Sequence, residues 1–285
     1  MKILVLGVTG MLGHTVFRQL HAHPHYVVHG TLRHPRGAQH FPEDTHGTLI
    51  SNVDVLDQDS LVSVLARVKP DVVVNCVGII KQLADANDPL SALPINAMLP
   101  HRLAKLCALS KTRLIHISTD CVFSGRQGMY VEEDLSDAQD LYGKSKYIGE
   151  LHVEPNAITL RTSIIGHELG RQSSLVDWFL SQSGPVKGYE KAIFSGLPTV
   201  ELARVIHEYV IPNPTLHGLY HVSVAPIDKL SLLQLLAQVY RKDIDIVADS
   251  QVTLDRSLNS SKFQAATGYV PPAWSDLVKS MHALR

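Results

Sequence analysis

A chain of 285 residues with 45% hydrophobic side chains can bury one large core, with or without a smaller lobe. Its charges nearly cancel, at a formal −1 with 19% charged residues, so neither nucleic acid nor a membrane surface is expected as a partner. No apolar run approaches a membrane span, the opening Met1–Gly7 run is too short for a secretion signal, and Cys76, Cys107 and Cys121 show no C-x-x-C spacing. These features point to a reducing, cytoplasmic setting without disulfides.

In chain order, strands are expected over Lys2–Leu6, Tyr26–Thr31, Thr48–Asn52, Asp71–Asn75, Arg113–Ser118 and Ala157–Leu160. Most are short runs of Val, Ile and Leu with little polar alternation, the pattern of strands buried on both faces. Between them, Leu12–His21, Gln58–Val68, Ile95–Leu109 and Leu141–His152 repeat apolar residues at helical spacing. This alternation predicts an α/β fold, a Rossmann-type doubly wound parallel sheet covered on both faces. After Gly166, Gly and Pro punctuate more often, and helices are expected over Ser174–Ser181, Val200–Tyr209, Lys229–Tyr240 and Trp274–His282. Residues 1–166 are therefore read as a dinucleotide-binding domain and 167–285 as a smaller substrate-binding lobe, some of whose segments return to the sheet. Seven of the 16 histidines fall between His21 and His46, but no carboxylate or thiol stands at ligand spacing. They are read as a solvated helix end and loop, and no metal site is expected.

The segment Gly7-Val8-Thr9-Gly10-Met11-Leu12-Gly13 leaves the first strand and opens the first helix. Glycine at the first position permits a tight turn, at the fourth a close approach of pyrophosphate to the backbone, and at the seventh close helix packing. Thr9, Met11 and Leu12 complete the turn, and the helix N-terminus offers free N–H groups to an anion. The second strand ends at Gly30-Thr31-Leu32-Arg33, where an acidic partner for a ribose hydroxyl is absent and Arg33 and Arg36 are close. A cation there suits a 2′-phosphate, so NADPH is favoured, with NADH as the alternative.

The Gly-x-x-Gly-x-x-Gly spacing resembles the short-chain dehydrogenase/reductase superfamily. The resemblance implies adenine contacts from Asp54 and Val55. It also aligns Asn75-Cys76-Val77-Gly78 with the family's cofactor-lining Asn-Ala-Gly segment. Tyr142 and Lys146 stand four apart, on one face of a helix. A phenol can donate the proton a carbonyl needs as hydride arrives, and a nearby ammonium would lower its pKa from ~10. Thr119 ends a buried strand, where a hydroxyl can polarise a carbonyl.

The run Ser118-Thr119-Asp120-Cys121-Val122-Phe123-Ser124-Gly125 is similar to the Ser-Thr-Asp-Tyr-Val-Phe-Asp-Gly segment of the dTDP-4-dehydrorhamnose reductase family. Glu132-Glu133-Asp134, Tyr142–Lys146, Gly149-Glu150, Leu160–Ser163, Gly196–Thr199 and Arg256–Ser260 continue that pattern in order. The resemblance implies Thr119, Tyr142 and Lys146 as the catalytic set, with Tyr142 and Lys146 also against the cofactor. Lys81, Asp120, Cys121 and Arg256 are expected at the substrate, where a guanidinium suits a diphosphate. The expected activity is NAD(P)H-dependent reduction of a keto group, at C4, of a nucleotide-activated 6-deoxy sugar, in polysaccharide biosynthesis. Homodimers are a further expectation. Cys121 and Ser124 replace an aromatic and an acidic residue of the family, and Gly78-Ile79-Ile80-Lys81-Gln82 departs from its small-residue run. Cys121 also lacks the carboxylate of sugar 4,6-dehydratases. The alternatives are a non-catalytic dinucleotide-binding subunit, like the regulatory subunit of methionine adenosyltransferase, and a sugar-nucleotide epimerase.

Overall fold

A computed structural model describes residues 1–81, 87–170 and 172–284, so Gln82 lies outside the described residues. In chain order the elements begin with β1 (Lys2–Leu6), α1 (Met11–His21), β2 (Val27–Thr31), β3 (Leu49–Ile50), α2 (Gln58–Val68) and β4 (Val72–Asn75). There follow α3 (Pro89–Ala92), α4 (Leu99–Leu109), β5 (Arg113–Thr119), α5 (Leu141–Ile148), β6 (Ala157–Thr162), β7 (Ile164–Ile165) and α6 (Leu175–Ser181). The chain continues through β8 (Val186–Phe194), β9 (Leu197–Pro198), α7 (Thr199–Val205), β10 (Gly218–His221), β11 (Ile227–Asp228), α8 (Lys229–Tyr240) and β12 (Ile246–Asp255). It closes with α9 (Ser261–Thr267) and α10 (Trp274–Ala283).

Seven strands form one parallel sheet in the order β10-β6-β5-β4-β1-β2-β3. From β1 the chain builds outward to β2 and β3, then crosses to β4 and builds the other way. The strand order therefore reverses between β1 and β4, and the crevice beyond their carboxyl ends is where such sheets bind ligands. The central strands are buried from end to end, as Val72-Val73-Val74-Asn75 illustrates, because helices cover both faces. On one face, Val16, Phe17 and Leu20 of α1 pack with Leu202 and Ala203 of α7 over Ile3, Val5 and Ile115. On the other, Leu61 and Leu65 of α2 and Leu103 and Cys107 of α4 cover Leu4, Val73 and Leu114.

Where the elements depart from the sequence reading, a local reason is visible. β3 is two residues long rather than five, and Asn52 just beyond it adopts a left-handed φ of 62° that no strand continues. The helix expected to begin at Ile95 enters α4 through a π-helical turn, Leu93–Met98. Pro100 has no N–H to give the carbonyl of Asn96 and its ring crowds that carbonyl, so the wider turn relieves the clash. α5 stops at Ile148, with Gly149 as its C-cap, rather than running to His152.

After residue 166 the chain divides its residues between two bodies. β10 completes the main sheet beside β6, while a second sheet, β11-β8-β12, stands apart. β11 runs antiparallel to β8, and β12 runs parallel to it with a bulge between Asp249 and Thr253. Val176 and Phe179 of α6, Leu232, Leu233 and Leu236 of α8, and Val278 and Met281 of α10 form this lobe's core with Val186 and Phe194. Among the described residues no helix is long and apolar enough to cross a membrane.

Candidate active site

A cavity of about 1340 Å³ opens at the crevice beyond β1 and β4. One end is lined by Thr9–Leu12, Arg33, Arg36 and His40. Cys76–Lys81 line its middle. Thr119–Cys121, Tyr142, Lys146, Ser163, Phe194, Lys229 and Arg256 surround the other end. Residues from β5, α5 and the second lobe thus meet at one place.

The glycine turn is shaped for an anion. Gly7 holds φ at +79° and its N–H donates to Thr31 Oγ1 at 3.1 Å, which pins the turn to β2. A Cβ on Gly13 would lie 2.1 Å from the Gly7 carbonyl oxygen, so only glycine lets α1 start here. Gly10 differs: a Cβ there would meet nothing closer than 3.4 Å, so the chain's own packing does not demand glycine. The space it leaves faces the cavity, as an approaching pyrophosphate requires. α1 has no side-chain cap and no acidic residue in its first turn, which leaves its N-terminal N–H groups and dipole to an anion. Arg33 and Arg36 are exposed at this end. They make no hydrogen bond or ion pair among the described residues. The residues present fit a dinucleotide.

Asp54 and Val55 do not join this cavity. Asp54 Oδ1 accepts from the Leu56 N–H at 2.9 Å, closing a local turn, and Val55 packs against the α2 core. Gly7 and Gly13 likewise shape the turn without lining the cavity. Asn75 Oδ1 accepts from the Val77 N–H at 3.1 Å, and its Nδ2 donates to His116 Nδ1 at 3.2 Å. This fixes the Cys76-Val77-Gly78 wall.

At the other end, the Thr119 hydroxyl is buried, donates to Asp120 Oδ1 at 3.2 Å and accepts from the Cys121 N–H at 3.1 Å. α5 brings Tyr142 beside it. Asp140 caps this helix, accepting from the Gly143 N–H at 2.8 Å. Burial pushes the Tyr142 phenol above its ordinary pKa, Cys121, Asp120 and Asp140 add to the shift, and a hydrogen bond from Thr119 opposes it. Lys146 is buried, and its Nζ donates to the Ile117 carbonyl at 2.7 Å. Burial pushes this ammonium down to about 8, against the attraction of Glu150. The sequence suggested that Lys146 lowers the phenol's pKa. In the structure the ammonium donates to the Ile117 carbonyl, and burial is the largest influence on the phenol.

Of the expected substrate contacts, Lys81 pairs with Asp140 at 2.7 Å. Arg256 donates from Nε to the Phe123 carbonyl at 2.8 Å and from Nη1 to Cys121 Sγ at 3.4 Å. Burial raises the Asp120 carboxyl, although Arg256 and Lys229 both draw it down.

Several supporting contacts escaped the sequence reading. Asn96, in the π turn, accepts from the Ile79 N–H at 2.9 Å and donates to the Ile79 carbonyl at 3.0 Å and to Ser145 Oγ at 3.2 Å. It therefore ties the Gly78–Ile79 wall to α5. The only signal for it was an amide in the otherwise apolar run Leu93–Met98. Beneath the site, Glu150 accepts from Ser118 Oγ at 2.6 Å and from Arg161 Nε at 2.8 Å and Nη2 at 2.5 Å. Arg161 Nη1 continues to His221 Nε2 at 2.8 Å. Phe194 and Lys229 bring the lobe's contribution and were likewise unforeseen.

The family model described as the RmlD substrate binding domain matches residues 1–284. The chain is 33% identical over 180 residues to the "Probable low-salt glycan biosynthesis reductase Agl14" of Haloferax volcanii, covering 62% of this chain and 57% of that protein. It is 27% identical to "Methionine adenosyltransferase 2 subunit beta" of Bos taurus, covering 78% of this chain and 66% of that protein. The alignments thus span less than two thirds of these relatives' own lengths. Among solved structures, a dTDP-4-dehydrorhamnose reductase of Clostridium acetobutylicum superposes with a TM-score of 0.81 at 20% identity, covering 100% of this chain and 99% of that one. At that identity the likeness is one of fold.

Proposed function

The chain belongs to the RmlD substrate-binding-domain family, and on that premise we propose that it reduces a keto group of a nucleotide-activated sugar with NAD(P)H. The observation that carries the reading is the cavity itself. It joins an anion-ready glycine turn to a hydroxyl, a phenol and an ammonium drawn from β5 and α5. A bound nicotinamide supplies hydride. Tyr142, kept protonated by burial, gives its proton to the keto oxygen. Thr119 donates a hydrogen bond to the same oxygen and steadies the charge that develops there. Lys146, anchored on Ile117 one helical turn along α5 from Tyr142, supplies the positive charge that favours the phenolate left behind. Gly10 and the first turn of α1 receive the pyrophosphate, and the exposed Arg33 and Arg36 favour the 2′-phosphate of NADPH. The sugar is read as a 4-keto-6-deoxy hexose, after the family.

Purified protein should oxidise NADPH in the presence of a nucleoside-diphospho-4-keto-6-deoxy sugar, with NADH the poorer donor. Changing Arg33 and Arg36 together to Ser should erase that preference without abolishing turnover. Dinucleotide binding with no oxidation across a panel of keto sugar nucleotides would end the reductase reading in favour of a regulatory subunit.

A pH profile gives a second test. Lys146 must be charged to favour the phenolate, and it loses its proton at about 8, well below the ~10.4 of an ordinary lysine. Since the charged form is the low-pH form, kcat/KM should hold below pH 8 and fall as pH rises through it. A profile flat to pH 10 would remove Lys146 from that role.

A further inference from the structure

The cavity's sugar end carries more positive charge than the protein neutralises. Of the cations lining it, Lys81 is paired with Asp140 and Lys146 is bonded to Ile117 beside Glu150. Lys229 and Arg256 have no such partner. Lys229, partly buried as the first residue of α8, makes no hydrogen bond or ion pair among the described residues. Its ammonium rests 4.1 Å from the centroid of the Phe194 ring, a weaker interaction than a paired carboxylate. The neighbouring Asp228 carboxylate is turned away, accepting from the Ser231 N–H at 2.8 Å and hydroxyl at 2.6 Å. Arg256 bonds a carbonyl and a thiol but no carboxylate oxygen. Asp120 alone faces both cations. Asp140 also attracts Arg256 but is already paired with Lys81, so two carboxylates face three cations and leave a net positive charge in a recess, where leaving it unpaired costs most.

We propose that Lys229 and Arg256 form an anion subsite on the lobe wall, with Lys229 a substrate-binding residue of this chain that receives the diphosphate of the sugar nucleotide. The proposal rests on the nucleotide-sugar reading of the cavity and adds a specificity residue to it. A diphosphate brings the negative charge that Asp120 does not supply. Phe194 holds the ammonium at the wall until it arrives. A carboxylate on the sugar ring offers the same chemistry, so the test separates the two.

Thymidine diphosphate, glucuronate and NADPH should be titrated separately into the wild-type protein and into Lys229→Met and Lys229→Arg by calorimetry. Methionine keeps the apolar stem over Phe194, and unchanged NADPH affinity shows that the fold and dinucleotide end are intact. Loss of a charge-assisted contact predicts that Lys229→Met weakens thymidine diphosphate on the order of ten-fold or more. Lys229→Arg should restore most of that loss. A loss confined to glucuronate would keep the anion subsite but overturn its assignment to the diphosphate. Unchanged affinity for both anions would overturn the subsite. Wild-type protein that binds NADPH but neither anion would instead sink the nucleotide-sugar reading, whatever Lys229 does.

Discussion

Tyr142→Phe should lower kcat by about 10²–10⁴-fold, the usual worth of a positioned general acid, while NADPH affinity changes little. The variant removes one oxygen from a side chain that is partly buried beside Thr119 and Asp120, so the ring still fills its place. What is lost is the group held protonated by its surroundings. KM should move far less than kcat, because the proton is transferred only as the carbonyl is reduced. Fluorescence titration of NADPH, together with single-turnover oxidation of bound NADPH, separates the two effects. A variant that turns over at the wild-type rate would remove the phenol from the chemistry.

Arg161→Met should destabilise the fold by about 3–5 kcal/mol, the cost of stripping one partner from a buried ion pair. Arg161 is only 1% exposed and its guanidinium is shared between Glu150 and His221. His221 is neutral here, pushed down to about 3 by burial and by the guanidinium's charge. Its Nε2 accepts from Arg161 and its Nδ1 donates to the Tyr130 carbonyl at 3.0 Å. Without Arg161, the Glu150 carboxylate is left in the interior with Ser118, the half-exposed His152 and only the attraction of Lys146 to offset its charge. Adding Glu150→Gln to Arg161→Met should recover much of the loss, since the uncompensated charge goes with it. Urea unfolding of the single and double variants measures both numbers. A single variant within about 1 kcal/mol of wild type would show that the pair adds little to stability.

The sheet was readable from the chain because its signal is local. Val72-Val73-Val74 needs no partner to announce a buried strand, and Gly7, Gly10 and Gly13 announce the turn by spacing alone. That Tyr142 and Lys146 line one cavity was readable for the same reason, since one helix carries both. What stayed hidden depends on segments distant in sequence. Lys229 looks like an ordinary helix-opening lysine until β8 and α8 set it against Phe194 and above Asp120. Asn96 gains its meaning only when the π turn faces Ile79 and Ser145. Arg161 stands in the sequence only as part of the Leu160–Ser163 resemblance, and its role shows once Glu150 and His221 surround it. The lobe strands escaped for another reason: β8 carries Lys187, Glu190 and Lys191 among its apolar residues, which weakens the pattern that marks buried strands.

β10 carries a consequence for how the polypeptide is made. Until residues 218–221 leave the ribosome, β6 has no neighbour on its outer side, and a row of backbone donors and acceptors stands open to any passing strand. The nascent chain must therefore shield that edge for more than fifty residues of translation. A pause in elongation anywhere within that interval would lengthen the period of greatest risk of aggregation.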